Sequence, residues 1–285
     1  MIYISTSCIK AKKIYSAVKV LADEGYTNIE LSGGTEYYNG YQNDLIRLQN
    51  EYNLNYLIHN YFPPSSTEFV LNLASQNEDI FQNSIDHLLS AITLSKLLKA
   101  DRYSFHAGFF LDLNPSEIGK DIKQRKFLKT NNSVERFCEG FKLLKNKAGT
   151  LKLYLENNVY SRKNWKLFKD NSPFMLTNFK DYLDLKRKID FNLLLDVAHL
   201  KVSSYSLNLD FDRELNNMIQ ESDYIHISEN NGMEDQNNRL LEKGGILSKL
   251  KNYDLSDKIL TLEIYKSLNL IKESYNLMNE TLKFS

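Results

Sequence analysis

The chain has 285 residues, with 36 Lys+Arg balanced by 36 Asp+Glu and only two cysteines. A hydrophobic share of 42%, with 15 Phe and 18 Tyr, supports a large buried core and excludes a disordered chain, a collagen-like repeat or a disulfide scaffold. The zero formal charge argues against bulk electrostatic capture of nucleic acid, which draws on many Lys and Arg contacts to phosphate.

The opening segment, MIYISTSCIKAKK, shows no basic leader followed by a long apolar run, and no later stretch is as long and apolar as a membrane helix. A soluble, cytoplasmic protein is therefore expected, and Cys8 and Cys138, too few for a disulfide framework or a cysteine-based zinc site, fit a reducing compartment. Short apolar runs recur along the chain, at 2–5, 28–31, 55–58, 102–105, 151–155, 191–195, 224–227 and 259–262. Their β-branched and aromatic character suits strands buried on both faces. Between them the apolar residues fall near a 3.6 period, predicting helices over 9–25 (stopping at Gly25), 42–51, 81–100, 133–147 (with Ser133 as N-cap), 178–188, 211–221, 243–251 and 266–281. Strand and helix alternate evenly with no linker, which predicts an α/β fold: a single (β/α)8 barrel domain over 1–285, with an open doubly wound sheet as the competitor. Long loops are expected at 107–132 and 229–243.

In a parallel barrel the chemistry sits at the C-terminal ends of the strands. The residues found there are His59, His106, Glu156, Asp196, His226 and Glu263, with His199 three positions past Asp196. Four of the five histidines fall on this rim, and His87, mid-helix, is assigned to packing or surface. Carboxylates buried at the ends of apolar strands are costly unless paired or bound to a cation, and several converging ones repel. Glu156, Asp196, His226 and Glu263 therefore read together as ligands of a divalent metal. Glu30, near the end of the second strand, reads equally as a member of the rim or as a polar contact at the barrel mouth.

The motifs NIELSGG (28–34), LIHNYF (57–62), SFHAGF (104–109), YLENN (154–158), LLDVAHL (194–200), YIHISENNG (224–232) and LTLEIY (260–265) resemble, in order, those of the xylose-isomerase-like TIM barrels. That superfamily includes sugar isomerases and epimerases, inosose dehydratases and endonuclease IV. The resemblance implies one Mn, Mg, Co or Zn ion on Glu156, Asp196, His226 and Glu263, with Glu156 and Glu263 as the acid/base pair. It implies that His199 binds a substrate hydroxyl, and that His59 and His106 face substrate or, as in endonuclease IV, a second metal. Asp235 is retained from the motif that completes the third zinc site of endonuclease IV, but Asn237 stands where that motif has histidine. In the similar glycine loop at 239–246, Gly244 and Gly245 are candidates for an anion-binding turn, and Arg239 and Lys243 are candidate substrate contacts. The basic stretches 123–129 and 161–166, the latter with Trp165, are candidate nucleic-acid patches.

The expected activity is proton transfer on a small sugar, sugar phosphate or polyol by a metal-dependent isomerase or epimerase, through a metal-stabilised enediolate. The alternatives are a zinc-dependent apurinic-site endonuclease and a non-catalytic sugar-binding barrel. Nucleic acid and membrane are disfavoured as partners, and a homodimer is left open.

Overall fold

The computed structural model describes residues 1–117, 122–123, 127–128, 130–265 and 267–282. Eight strands are all parallel and close into a barrel in sequence order: β1 Ile2–Ser5, β2 Asn28–Leu31, β3 Asn55–His59, β4 Arg102–His106, β5 Lys152–Glu156, β6 Asn192–Asp196, β7 Tyr224–Ile227 and β8 Ile259–Leu262. β8 pairs with β1, placing Ile4 beside Leu262 and closing the ring. The open-sheet alternative is thereby excluded.

Outside the barrel lie α1 Ile14–Asp23, α2 Tyr41–Tyr52, α3 Glu78–Leu97, α4 Thr130–Ala148, α5 Arg162–Phe168, α6 Phe179–Lys186, α7 Val197–Leu207, α8 Phe211–Gln220, α9 Ile246–Leu250 and α10 Leu268–Thr281. Their termini carry local chemistry. Asn77 caps α3 by accepting from the Asp79 and Ile80 N–H groups, and Asp210 caps α8 by accepting from Asp212 and Arg213. Gly25 follows α1 with φ +87°, a left-handed turn that favours glycine.

Three expectations need correcting. α4 begins at Thr130, so Ser133 lies inside the helix and is buried rather than capping it. The predicted 9–25 helix starts only at Ile14, after a 3-10 turn over Thr6–Cys8. α5 and α7 fall where no helix is predicted. The 107–132 loop holds a 3-10 turn at Pro115–Glu117, and part of it, with most of the basic 123–129 stretch, lies outside the described residues.

The strands separate two apolar layers by their alternation. Leu153, Leu155, Leu195, Ile225 and Ile227 point outward and join the helices in the main core, where burying one such side chain contributes about 1.5–3 kcal/mol. Tyr3, Leu57, Tyr154, Leu194 and Tyr224 point inward and form a separate cluster that fills the barrel. The Tyr154 and Tyr224 rings meet edge to face, their centroids 5.5 Å apart, a favourable arrangement for two aromatic quadrupoles. Beneath them the Arg102 guanidinium lies 5.1 Å from the Tyr154 ring and 5.5 Å from the Tyr224 ring. Asp101 holds it at 2.9 Å, so a cation and two aromatic rings floor the barrel below the site.

Candidate metal centre

Two residues beyond the inward Tyr154, Leu194 and Tyr224, the same alternation turns Glu156, Asp196 and His226 into the barrel mouth. Register places His106 beside Glu156 and Asp196 beside His226. Glu263 comes one residue after β8, where its N–H still donates to Ile227 O at 3.2 Å.

The side chains converge. Glu156 Oε2 lies 3.1 Å from His106 Nδ1 and 3.3 Å from His59 Nε2. Glu156 Oε1 lies 3.4 Å from His226 Nδ1, which is 3.6 Å from Glu263 Oε2. Asp196, His226 and Glu263 each offer one ligand atom within 4.8 Å of the others, and so do the groups His59, His106, Glu156 and Glu156, Asp196, His199. Both Glu156 oxygens, Asp196 Oδ2, His106 Nδ1 and His226 Nδ1 are buried without a hydrogen-bond partner. A buried polar atom left unpaired costs about 1–3 kcal/mol, and these five belong to overlapping groups of candidate ligands. The hard oxygen and borderline imidazole donors suit a divalent ion, so the residues present fit the implied metal.

Electrostatics gives the same account. Burial opposes ionisation of Glu156, but His106, His59 and His226 outweigh it and hold its carboxyl well below the usual range. Burial likewise opposes ionisation of Glu263, and the neighbouring His226 imidazole outweighs it and brings it down to about 2. Burial pushes the Asp196 carboxyl up to about 7, with Glu156 and Asp235 adding repulsion. Burial pushes His106 down to about 4. For His226, burial works against the charge, yet Glu30, Glu156 and Glu263 outweigh it and hold the imidazole well above its ordinary value.

Neighbouring groups fix the ligands in place. Asp196 caps α7, its Oδ1 accepting from the His199 N–H at 2.7 Å, so His199 sits in the first turn beside the centre. Its Nδ1 meets Asn157 O at 3.0 Å, leaving Nε2 3.3 Å from Asp235 Oδ2. Asn157 also accepts from Asp196 N at 2.8 Å and donates to Asp196 O at 3.0 Å, stapling β5 to β6. Ser7 Oγ donates to Glu263 Oε1 at 3.1 Å. Glu30 is fully buried on the inner face of β2, accepts from His226 Nε2 at 2.9 Å, and offers with His59 and His226 a further group of ligand atoms within 4.8 Å of one another. Asn157 and Ser7 carry no signal in the sequence; only the register that brings distant strands together reveals them.

The remaining candidates sort clearly. The mouth opens into a cleft of about 1250 Å³ whose lining includes His59, His106, His199, Asp235 and Glu263. Arg239 does not line that cleft; its side chain is 54% exposed and faces Glu273 at 3.6 Å, because the loop carries it toward α10. Lys243 is exposed outside the cleft lining. At the candidate anion-binding turn of Gly244 and Gly245 the protein supplies a carboxylate of its own: Glu229 Oε2 accepts from Ile246 N at 2.7 Å, and a Cβ on Gly245 would collide with that oxygen. Asn237 Nδ2 donates to Asp235 Oδ2 at 2.9 Å, so an amide donor stands beside the carboxylate. The Trp165 ring already carries Arg162 at 4.1 Å and Lys169 at 4.7 Å, which leaves it a poor open stacking platform. His87 is buried and packs against Phe69, as a core histidine does.

The family described as xylose isomerase-like TIM barrel matches residues 18–281. The chain belongs to that family. Among solved structures, this xylose isomerase-like barrel is similar to a D-tagatose 3-epimerase-like protein, with TM-score 0.69, 19% identity and 98% of each chain covered. It is also similar to the apo form of a 3-keto-D-glucoside 4-epimerase from E. coli, with TM-score 0.65, 9% identity and 98% of each chain covered. A third is endonuclease IV from Thermus thermophilus, with TM-score 0.62, 16% identity, and 100% of this chain and 99% of that one covered. At these identities the likeness is one of fold. No curated protein matches the sequence. Among the described residues, no helix is long and apolar enough to cross a membrane.

Proposed function

We propose that this xylose isomerase-like barrel is a metal-dependent isomerase or epimerase acting on a small sugar, sugar phosphate or polyol. The observation that carries the reading is the set of buried, partnerless donor atoms on Glu156, Asp196 and His226, with Glu263 beside them at the mouth of a cleft. Those four residues would hold the ion, which supplies a Lewis acid that makes the hydrogen on a carbon next to a carbonyl easier to remove.

The rest of the chemistry belongs to the chain. Glu156 and Glu263 are held in the ionised form, so either is ready to accept a proton from carbon. Ser7 Oγ anchors one oxygen of Glu263, leaving Oε2 toward the centre. One glutamate takes the proton from carbon, and for an isomerase returns it at the neighbouring carbon. For an epimerase the other glutamate, first protonated by water in the cleft, delivers a proton on the opposite face while the first gives its own up to solvent. His199 and His106 line the cleft and can hydrogen-bond substrate hydroxyls.

The test loads purified protein with Mn, Co or Zn in deuterated water and follows deuterium into a panel of ketoses and ketose phosphates. Incorporation is expected in the wild type and at least about a hundredfold less in Glu156→Gln and Glu263→Gln. A metal-loaded wild type that exchanges no sugar proton overturns the reading.

A second reading has its own observation. His59, His106 and Glu156 form a separate ligand group that shares Glu156, the arrangement a second ion would use for phosphodiester cleavage. Nicking of abasic duplex DNA with zinc supplied, in place of sugar exchange, would favour it.

A further inference from the structure

Glu30 is buried to the last atom, and no step above uses it. It rises from the inner face of β2 and reaches across the barrel to β7 and β8, neither of which pairs with β2. One oxygen, Oε2, accepts from three donors: the Tyr224 hydroxyl, His226 Nε2 at 2.9 Å and Thr261 Oγ1 at 3.1 Å. All three donors converge on that one oxygen, while Oε1 is buried with no hydrogen-bond partner among the described residues. The floor holds the assembly from below, since the Tyr224 ring is packed against Tyr154 and lies over Arg102.

An imidazole whose Nε2–H is bound to a carboxylate has only Nδ1 left to bind a cation, once that atom has lost its proton. In His226 that nitrogen faces Glu156 Oε1 at 3.4 Å and Glu263 Oε2 at 3.6 Å, buried without a hydrogen bond. We infer that Glu30 is the positioning residue of the centre: its carboxylate pins the Nε2–H of His226 and so commits Nδ1 to the cation held with Asp196 and Glu263. This rests on the metal-dependent function proposed above. The rival role for Glu30 is a buried polar plug that stabilises the barrel and leaves the ligand untouched.

Cobalt affinity, measured by competition with a chelator, separates the two roles. Glu30→Gln keeps an acceptor for Nε2–H without the charge, whereas Glu30→Ala removes both. The expected loss of cobalt affinity is about tenfold in Glu30→Gln and approaches about a hundredfold in Glu30→Ala. In a His226→Gln background, Glu30→Ala should cost less than about twofold more, because the ring it orients is gone. A plug would instead lower the melting temperature of the metal-free protein with cobalt affinity unchanged, or give a loss in the double variant equal to the sum of the single losses; either result overturns the inference. Nitrogen NMR of the zinc-loaded wild type checks the same point without any substitution at Glu30. A proton on His226 Nε2 and metal on Nδ1 is expected, and the reverse assignment overturns it. A wild type that takes up neither cobalt nor zinc overturns the proposed function along with this inference, whereas normal uptake by both Glu30 variants overturns this inference alone.

Discussion

At the scale of single residues, the proton inventory of the centre makes a prediction. Glu156 and Glu263 are already ionised in the metal-free protein and have no proton to release to an incoming cation. Asp196, pushed up to about 7 by burial, is mostly protonated below that pH and mostly ionised above it. His226 is held protonated well above its ordinary value and must give up the proton on Nδ1 for that atom to bind. Metal uptake should therefore release about two protons near pH 6 and about one near pH 8. Affinity for zinc or cobalt should rise with pH, more steeply below 7 than above it. Calorimetry in buffers of different ionisation heat counts the protons, and an affinity flat from pH 6 to 8 would contradict the assignment of these ligands. The proposed ligands are legible in the sequence because a charged residue ending an apolar strand is costly to bury unless a partner or a cation meets it. Ser7, Asn157 and the pinning contact of Glu30 are not. Each acts on a group 39 to 256 positions away, through a register that local patterns do not encode.

Individual elements show the same divide between local and distant causes. The strands are legible because each is a four- or five-residue apolar run set between helical patterns. α7 is not legible, because it is buried nearly all round: Ser203, Ser204 and Ser206 are as enclosed as Val202, so no apolar stripe marks the helix. Yet α7 matters to the site, since it carries His199. Two positions past His199, Lys201 donates to Glu229 and, at 2.7 Å, to Asn230 O, tying the helix to the segment after β7. The side chains of this pair are 14% and 4% exposed. Removing the cation alone leaves a buried carboxylate uncompensated, and Lys201→Met should cost about 3 kcal/mol. Glu229 also accepts from the N–H groups of Asn230 at 3.0 Å and Ile246 at 2.7 Å, which places the expected cost at the lower end of what breaking a buried pair entails. Lys201→Met/Glu229→Gln should regain part of that loss, because no charge is then left unpaired. Urea unfolding measures both, and a double variant less stable than Lys201→Met would show that the pair does not act through charge.

For the molecule as a whole, the barrel gathers its ligands from a long span of chain. Glu156, Asp196, His226 and Glu263 stand within one residue of the ends of four successive strands, β5 to β8, so one cation would tie together the half of the ring that includes the closure onto β1. Binding that selects the folded chain adds stability by mass action, about 2.7 kcal/mol when free metal stands at a hundred times its dissociation constant. For a chain of this size that corresponds to a rise in melting temperature of about 5 °C. Treatment with a chelator should lower the melting temperature by that amount, and cobalt or zinc should restore it. His226→Gln should abolish most of the shift, whereas Lys201→Met should lower the starting temperature and keep the shift. The second variant separates the two contributions: stability supplied by the cation depends on the ligands at the mouth, and stability supplied by packing does not. A melting temperature indifferent to chelator and to added metal would mean that the four side chains meet for a reason other than holding an ion.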